Sequence, residues 1–453
     1  MKRIILAALI ILMGTIFIIA QTNPVITSWL QNTTQKGRHY VSGNSTPIQD
    51  NVLANVQSVK YSTNWVYIST HGIPTYVTGP FLDGNPSLAT DQNAIFRISL
   101  NPVQNSGTPV NTNAGNIGIF INGVALFDYR DGVSWQNSSN SLKGGPLGGT
   151  GDNVWNRDAI VAEKAGFDCA KGHPAMGNYH HHQNPSAFKL DKVVISNICN
   201  LYDADGLYVI DSTRHSPLIG FSYDGFPIYG AYAYKNVDGT GGIVRMKSSY
   251  SLRNISTRTT YANGTTVTSG PSVNATYPLG FFREDYQYNL TSGATPDYLD
   301  DHNGRLCKTP EYPNGIYCYF ATVDANWNSA YPYAVGPTFY GTKTATKVTT
   351  ITETVTTYTQ ATGMSKEAFE NLNINIFPNP SIDIIAIQAG GLVSGDLEIT
   401  LYDMTGKLID QAAISKGNTI AYLDTRRLYA GEYLVKITGN NNVYLKKIMV
   451  TRD

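Results

Sequence analysis

The chain has 453 residues, and its 33 basic and 33 acidic side chains give a formal net charge of zero at pH 7. Charged residues make up 15% of the chain, against about 25% in an average soluble protein. A neutral chain without a basic patch, an RNA-binding signature or a phosphate-binding loop gives no reason to expect nucleic acid as a partner. The 30 tyrosines and 42 glycines favour short strands joined by turns.

The N-terminus carries an export signal. Lys2 and Arg3 precede an apolar run from Ile4 to Ala20, and polar sequence follows at once from Gln21. A basic start, a short apolar core and a small residue at its end are typical of a cleavable signal peptide. The run falls just short of the roughly 20 residues that span a bilayer. We therefore predict that residues 1–20 are a signal peptide that is cleaved near Ala20.

All four cysteines lie in the exported part of the chain. Outside the cell an even number of thiols usually indicates disulfides, and no Cys-x-x-Cys pair offers a thiolate metal site. Three connectivities are open, and closeness in sequence favours Cys169–Cys199 and Cys307–Cys318. The first bridge would close a loop of about 30 residues, worth roughly 3–4 kcal/mol in the chain-entropy model.

Residues 21–341 consist mostly of short strand-like runs separated by turn residues. Trp65–Ser69, Ile117–Ile121 and Tyr317–Ala321 are examples. Helical periodicity is rare, and Asp158–Ala165 is the best short candidate. The pattern predicts a mainly β protein with one large β-rich domain over residues 21–341.

The composition changes at Thr342. The stretch from Thr342 to Thr362 is rich in threonine and contains neither glycine nor proline. We interpret it as an extended linker, with an isolated strand as the alternative. A short helical spacer, Ser365–Leu372, follows, so that residues 342–372 are expected to connect two domains.

Residues 373–453 have the pattern of a separate small module. Apolar residues alternate along two half-buried strands, which predicts a small β-sandwich; these residues are Leu397, Ile399, Leu401, Tyr433, Val435 and Ile437. The segment also carries FPNP at 377–380, LYDMTGKLI at 401–409 and LYAGEYLVKI at 428–437. It resembles the C-terminal sorting domain of the type IX secretion system of Bacteroidota. The resemblance implies the outer-membrane secretion machinery as a partner and a secreted or cell-surface location.

The densest group of histidines comprises His173 and the run His180–His182. Alternation along a strand places His180 and His182 on one face and His181 on the other. The residues between His173 and this run can turn the chain back, so that His173 approaches the same face. Because neutral imidazole suits zinc or copper, we predict a metal site formed by His180, His182 and His173, with His215 as a further ligand. The alternative is that these histidines belong to an aromatic core.

A second group of polar residues surrounds His215. The turn in GFSYDGFPIYG at 220–230 presents Asp224 and Tyr229 as candidates to support a metal or face a substrate, together with Asp300. An ordinary turn-forming role is the alternative for Asp224. No Gly-x-Ser-x-Gly or His-Glu-x-x-His motif occurs, which excludes ordinary serine hydrolases and zincins. No catalytic residue can be named from the sequence.

Several longer segments together carry a family resemblance. They are HGIPTYVTGP at 71–80, IGIFINGVALFD at 117–128, GHPAMGNYHHHQNP at 172–185, RHSPLIGFSYDGFPIYGAY at 214–232 and LDDHNGRLCKTPEYPNGIYCYF at 299–320. This part of the chain resembles the YHYH-domain family of secreted proteins. One departure is His181, which stands where the eponymous motif has tyrosine. The resemblance implies export but brings no established activity.

These observations support a secreted or cell-surface protein with a His-based transition-metal site. One alternative is a secreted metal-dependent oxidase or hydrolase, which an open coordination position beside Asp224 or Asp300 would favour. A second alternative is a non-catalytic module whose tyrosines bind an extracellular glycan or another surface. A metal shell filled by protein ligands would instead indicate a structural or carried ion.

Overall fold

The computed structural model of the protein describes residues 23–82, 88–193, 196, 198–289, 295–344, 346–359, 374–391, 393, 395–403, 407–439 and 442–452. The predicted signal peptide, residues 1–20, and the predicted spacer Ser365–Leu372 lie outside these ranges. None of the helices within them combines the length and apolarity needed to cross a bilayer. The chain divides after Tyr358 into two compact units, each of which has its own buried core.

Short strands dominate the first unit. Its helices are α1 (Pro24–Thr27) and α2 (Ala159–Glu163), and its 3-10 turns are Gly145–Leu147, Lys164–Gly166, Phe188–Leu190, Ile198–Asn200 and Arg283–Asp285. The first twelve strands are β1 (Lys36–Val41), β2 (Asn44–Leu53), β3 (Val56–Tyr61), β4 (Trp65–Thr70), β5 (Ala94–Ser99), β6 (Val110–Asn111), β7 (Asn116–Phe120), β8 (Ala125–Phe127), β9 (Arg130–Gln136), β10 (Ser141–Gly144), β11 (Asn156–Asp158) and β12 (His173–Ala175). The others are β13 (Asn178–His181), β14 (Leu218–Ser222), β15 (Pro227–Tyr229), β16 (Tyr232–Tyr234), β17 (Ile243–Arg245), β18 (Tyr250–Leu252), β19 (Tyr286–Tyr288), β20 (Gly304–Cys307), β21 (Ile316–Phe320), β22 (Thr338–Phe339), β23 (Thr346–Val348) and β24 (Thr356–Tyr358).

An eight-stranded sheet forms the centre of the first unit in the described part of the chain. Its strand order is β12-β13-β8-β7-β14-β15-β21-β20, with parallel pairing between β13 and β8 and between β15 and β21. All five residues of β14 are buried, as expected for a strand that is covered on both faces. The hairpin of β12 and β13 lies at one edge of this sheet, and it carries three of the histidines singled out by the sequence.

The threonine-rich segment contributes to a second sheet of the first unit, with the order β23-β5-β4-β3-β24. Thr346–Val348 pairs with β5, and Thr356–Tyr358 pairs with β3. These residues, which the sequence analysis places in an extended linker, therefore form the two edge strands of this sheet. The reason is that β-branched threonines fit a pleated, half-exposed surface, and an edge strand needs only one neighbour.

The helix expected over Asp158–Ala165 is present as α2, followed by the turn Lys164–Gly166. Asp158 caps α2, because its carboxylate accepts hydrogen bonds from the amides of Ile160 and Val161. The cap and the buried Ala159 and Ile160 fix this short helix in the first unit. The same contacts therefore fix the position of Glu163, the last residue of α2.

The second unit is a small β-structure with two sheets. Its strands are β25 (Asn375–Phe377), β26 (Ile384–Gln388), β27 (Leu397–Asp403), β28 (Leu408–Ile414), β29 (Ile420–Asp424), β30 (Gly431–Gly439) and β31 (Asn442–Val450). The sheet orders are β25-β26-β29 and β28-β27-β30-β31. The alternating residues Ile399, Leu401, Val435 and Ile437 are all buried in the core of this unit. The prediction of a mainly β chain with a small C-terminal β-domain is confirmed.

The two predicted disulfides have different outcomes. Cys169 and Cys199 are bonded, with 5.5 Å between their Cα atoms, so this prediction is confirmed. The predicted Cys307–Cys318 bridge is wrong, because both residues are buried free thiols. In the register of β20 and β21, Cys307 lies opposite Ile316 and Cys318 lies opposite Arg305. The cysteines are thus diagonal neighbours whose thiols contact each other, but the Cα atoms of such neighbours are typically about 7–8 Å apart, beyond the usual disulfide span.

This arrangement predicts one bridge and two thiols in the exported protein. Non-reducing peptide mapping should recover Cys169 joined to Cys199, and alkylation after denaturation should label Cys307 and Cys318. Cys169→Ser should lower the free energy of unfolding by roughly 3 kcal/mol, because it opens a loop of about 30 residues. Cys318→Ala is the control, which should keep the bridge and leave one thiol. A peptide that joins Cys307 to Cys318 would contradict the assignment.

The separate cores predict that the second unit serves export rather than the folding of the first. Deleting residues 374–453 should change the free energy of unfolding of the first unit by less than about 0.5 kcal/mol. All five tryptophans lie before residue 358, so tryptophan fluorescence reports the unfolding of this unit alone. The truncated chain should remain in the periplasm, and normal secretion of it would refute the prediction.

Candidate metal centre

The hairpin of β12 and β13 sets the positions of two histidines. His173 lies directly opposite His180, and Ala175 lies opposite Asn178. Met176 and Gly177 form the turn between them with φ values of 50° and 84°, the left-handed conformation that two-residue hairpin turns need. Because directly opposed residues share a face of the sheet, the rings of His173 and His180 meet, with 4.7 Å between their centroids.

His182 joins the same face, two residues after His180. The two Nε2 atoms are 3.0 Å apart, and the ring centroids of His182 and His173 are 5.7 Å apart. Within the described residues, the donor nitrogens of His173, His180 and His182 all lie within 4.8 Å of one another. The predicted convergence of these three side chains is present in the structure.

Glu163 is a fourth member of the cluster, and the sequence analysis did not identify it. Its Oε2 atom lies 3.3 Å from Nε2 of His173 and 3.2 Å from Nε2 of His182. Glu163 lies at the end of α2, so its carboxylate comes from a part of the chain outside the hairpin. The only sequence signal was that Glu163 lies in the short predicted helix just upstream of His173, which does not specify a contact.

Backbone carbonyls fix which ring nitrogens carry hydrogen. Nδ1 of His180 lies 2.8 Å from the carbonyl oxygen of Asn178, and Nδ1 of His182 lies 2.5 Å from the carbonyl oxygen of Asp128. Since a carbonyl oxygen can only accept, each Nδ1 must donate. In the neutral ring the hydrogen is then absent from Nε2, whose lone pair points into the cluster. Such hydrogen bonds from the distal nitrogen commonly orient metal-binding histidines.

The cluster is enclosed and largely screened from solvent. His173, His180 and His182 are 4%, 1% and 3% exposed. Phe127 stacks on His180 at a centroid distance of 3.7 Å, and the edge of Phe167 packs against His173 at 4.8 Å. These aromatic rings restrict the imidazoles to one orientation.

The surroundings also determine the charges of the donor groups. Burial, and then the neighbouring rings of His182 and His173, hold the pKa of His180 well below its ordinary value, so this ring is neutral. Burial alone raises the pKa of the Glu163 carboxyl, but contacts with His173 and His182 bring that pKa below its ordinary value. The resulting set of imidazole nitrogens and one carboxylate oxygen is a common donor set for zinc.

The spacing of the donor atoms fits a small ion. A tetrahedral zinc site has metal–ligand distances of about 2.0–2.1 Å, which correspond to about 3.3–3.4 Å between neighbouring donor atoms. The measured separations are 3.0 Å between the nitrogens of His180 and His182 and 3.2–3.3 Å from Glu163 to its two neighbours. These three distances are therefore close to those of a tetrahedral shell, and the nitrogens of the three histidines all lie within 4.8 Å of one another.

His181 points away from the cluster, as alternation predicts. Its Nδ1 donates to the carbonyl oxygen of Lys171 at 3.0 Å, and its Nε2 lies 2.8 Å from the hydroxyl oxygen of Tyr76. Burial lowers the pKa of His181 to about 3. His181 is thus a neutral core residue, both of whose ring nitrogens are already bonded.

The structure does not bring His215 to the cluster. Its Nδ1 donates to the carbonyl oxygen of Ser216 at 2.7 Å, and its ring packs against Tyr229 and Tyr234. Tyr229 belongs to β15, which is four strand spacings from β13 in the central sheet, or about 19 Å. The sequence could not exclude His215, because strand order is not visible in the spacing of residues.

The three polar candidates Asp224, Tyr229 and Asp300 have local structural partners. Asp224 accepts hydrogen bonds from the Tyr319 hydroxyl at 2.5 Å and from the amides of Gly341 and Phe226. The hydroxyl of Tyr229 is bonded to Thr309 and Glu311. Asp300 accepts from the Tyr317 hydroxyl and from the amides of His302 and Gly304. None of these contacts involves the histidine cluster, and the turn-forming alternative for Asp224 describes what is observed.

A cavity of about 440 Å³ lies elsewhere in the first unit. Its wall includes Tyr250, Tyr261, Tyr286, Tyr331, Arg130 and Arg283. Arg130 donates to the carboxylate of Asp128 at 2.5 Å. Asp128, whose carbonyl holds His182, therefore links a wall of this cavity to the cluster.

Comparisons with known proteins identify both units. Residues 375–451 match the family model described as the secretion system C-terminal sorting domain. The protein is therefore secreted or displayed at the cell surface, and the type IX secretion machinery is its partner in export.

No curated protein matches the chain. One solved structure, a DUF3244 family protein with an immunoglobulin-like β-sandwich fold from Bacteroides vulgatus, is 18% identical, and the match covers 18% of this chain and 85% of that one. Its TM-score of 0.16 gives this similarity no weight. Residues 95–332 match the family model described as YHYH protein. Because this match extends over more than half of the sequence, the chain belongs to the YHYH protein family.

Proposed function

We propose that this exported protein binds one transition metal ion, zinc or copper, through His173, His180, His182 and Glu163. The observation that carries the proposal is the 3.0 Å separation of the Nε2 atoms of His180 and His182, while each Nδ1 is bonded to a carbonyl oxygen. When both rings are neutral, this arrangement directs their lone pairs at each other. A bound cation would turn this repulsion into two coordination bonds.

The donor count favours a structural or carried ion over a catalytic one. With Glu163 the three histidines would supply four protein donors, the number found in structural zinc sites, whereas catalytic sites keep a position open. The ion would join the hairpin of β12 and β13 to α2 through Glu163. Because the unfolded chain lacks this arrangement, metal binding would stabilise the folded state.

One observation favours the enzyme alternative. The Glu163 side chain is 18% exposed, whereas those of His173 and His182 are 5% and 2% exposed. Glu163 is therefore the donor that water or a substrate could most easily displace. Its departure would leave three histidines and one open position, the arrangement that a metal-dependent hydrolase or oxidase requires.

A second observation favours glycan binding as a separate candidate function. Four tyrosines line the cavity of about 440 Å³, which is within the usual size of ligand sites. Tyrosine combines a flat apolar face with a polar hydroxyl, and both features suit a sugar ring. A glycan array probed with the native protein and with Tyr250→Ala would test this function independently of the metal.

The metal proposal predicts about one zinc or copper ion per chain after gel filtration, measured by elemental analysis. His180→Ala and His182→Ala should each lose the ion, and chelation of the native protein should lower its melting temperature. A ligand present at a thousand times its dissociation constant stabilises by about 4 kcal/mol. Affinity should fall as the pH drops below about 6.5, because protons compete for the imidazole lone pairs.

His181→Gln is the matched control, since His181 is a buried histidine between the two ligands and faces away from them. This variant should lose stability but keep the ion when it is assayed below its melting temperature. His215→Gln should also keep the ion. Glu163→Gln distinguishes a structural or carried ion from a catalytic one. Retention of the ion by the three histidines alone would favour an enzyme. Equal metal loss in all histidine variants, or a native protein without stoichiometric metal, would refute the proposal.

A further inference from the structure

A lysine and an aspartate meet inside the first unit, beside the segment that carries the histidines. Nζ of Lys171 lies 2.5 Å from Oδ1 of Asp191, and each side chain is 1% exposed. Lys171 precedes β12, and Asp191 directly follows the turn Phe188–Leu190. This is a fully buried pair of an amine and a carboxyl group in direct contact.

The surroundings give this pair little of the solvation that two ions need. The ring of Phe188 lies 5.5 Å from Nζ, and the Ser186 hydroxyl is 3.3 Å from it. Oδ2 of Asp191 is buried and has no hydrogen-bond partner in the described part of the chain. A buried carboxylate with one oxygen left unbonded is costly, whereas the carbonyl oxygen of an amide is uncharged and loses less on burial.

We propose that Lys171 and Asp191 are joined by an intramolecular isopeptide bond in the mature protein. A proton passes from the ammonium group to the carboxylate within the pair, which leaves a neutral amine and a carboxylic acid. The amine then attacks Cγ of Asp191, the new C–N bond forms, one C–O bond breaks, and the oxygen leaves as water. Nothing is oxidised or reduced, no cofactor is needed, and the only product released is one water molecule.

The geometry supplies what this condensation requires. An Nζ–Oδ1 distance of 2.5 Å places Cγ about 3–3.5 Å from the amine, within the range of a near-attack arrangement. Held in such contact, two groups reach effective concentrations far above those in solution, which favours the amide over hydrolysis.

The bond would close a ring over residues 171–191, which contains His173, His180 and His182. The Cys169–Cys199 disulfide closes a second ring around the first. Reduction opens a disulfide but not an amide, so the inner ring would hold the histidine segment together under reducing conditions as well. The proposal does not depend on metal binding.

The chain also offers a matched internal control. Nζ of Lys189 lies 2.6 Å from Oδ1 of Asp203, but these side chains are 41% and 73% exposed. The groups are the same as in the buried pair and their separation is similar, but water reaches this pair, and Asp205 also lies 3.4 Å from Nζ of Lys189. Lys189 and Asp203 should therefore remain an ordinary ion pair.

Mass spectrometry of the full chain recovered after secretion, denatured and reduced, tests the bond. Trypsin should not cleave after Lys171 but should cleave after Lys189 and Lys192. It should release residues 165–189 joined to residues 190–192 as one branched peptide, lighter by one water molecule than its two parts. Lys171→Met and Asp191→Ala should abolish this branched product. Cleavage after Lys171 in the secreted wild-type chain, with residues 165–171 and 190–192 recovered as separate peptides of full mass, would overturn the proposal, even if the variants fail to fold.

Discussion

The register of β12 against β13 is the constraint on which the histidine cluster depends. Backbone pairing places His173 opposite His180, and the parallel pairing of β13 with β8 anchors the hairpin to the central sheet. A shift of one residue would move every side chain of the strand to the other face. His181, now bonded to Tyr76 and the carbonyl of Lys171, would then occupy the place of its neighbours.

Polar groups of the backbone give the cluster its chemical character. The carbonyl oxygens of Asn178 and Asp128 bind the Nδ1 atoms of His180 and His182, so that the opposite nitrogen of each ring, Nε2, faces the cluster. Burial then keeps His180 neutral, while Glu163 stays ionised. The cluster thus combines an ionised carboxylate with the Nε2 lone pair of a neutral His180 in a nearly dry site, an arrangement that a divalent cation stabilises.

The segment that carries the cluster is also held by a disulfide and by a buried ion pair. The Cys169–Cys199 bridge encloses the hairpin and the Lys171–Asp191 pair. A protein that works outside the cell has no chaperones or reducing systems to restore it, and covalent links stabilise such proteins. A metal ion, the disulfide and the proposed amide would act on the same loop through three independent kinds of chemistry.

The sequence by itself determined the β-rich class, the C-terminal module and the separation of His181 from its neighbours, and it favoured the Cys169–Cys199 bridge among three possible connectivities. These features depend on local alternation, composition and short spacings, which a linear chain displays directly. Tertiary structure alone decided that Glu163 joins the cluster and that His215 does not, because both outcomes depend on how distant segments pack and on strand order. The same reason explains Cys307 and Cys318: their closeness in sequence was visible, but the diagonal register in which their thiols meet without a bond is set only when β20 pairs with β21.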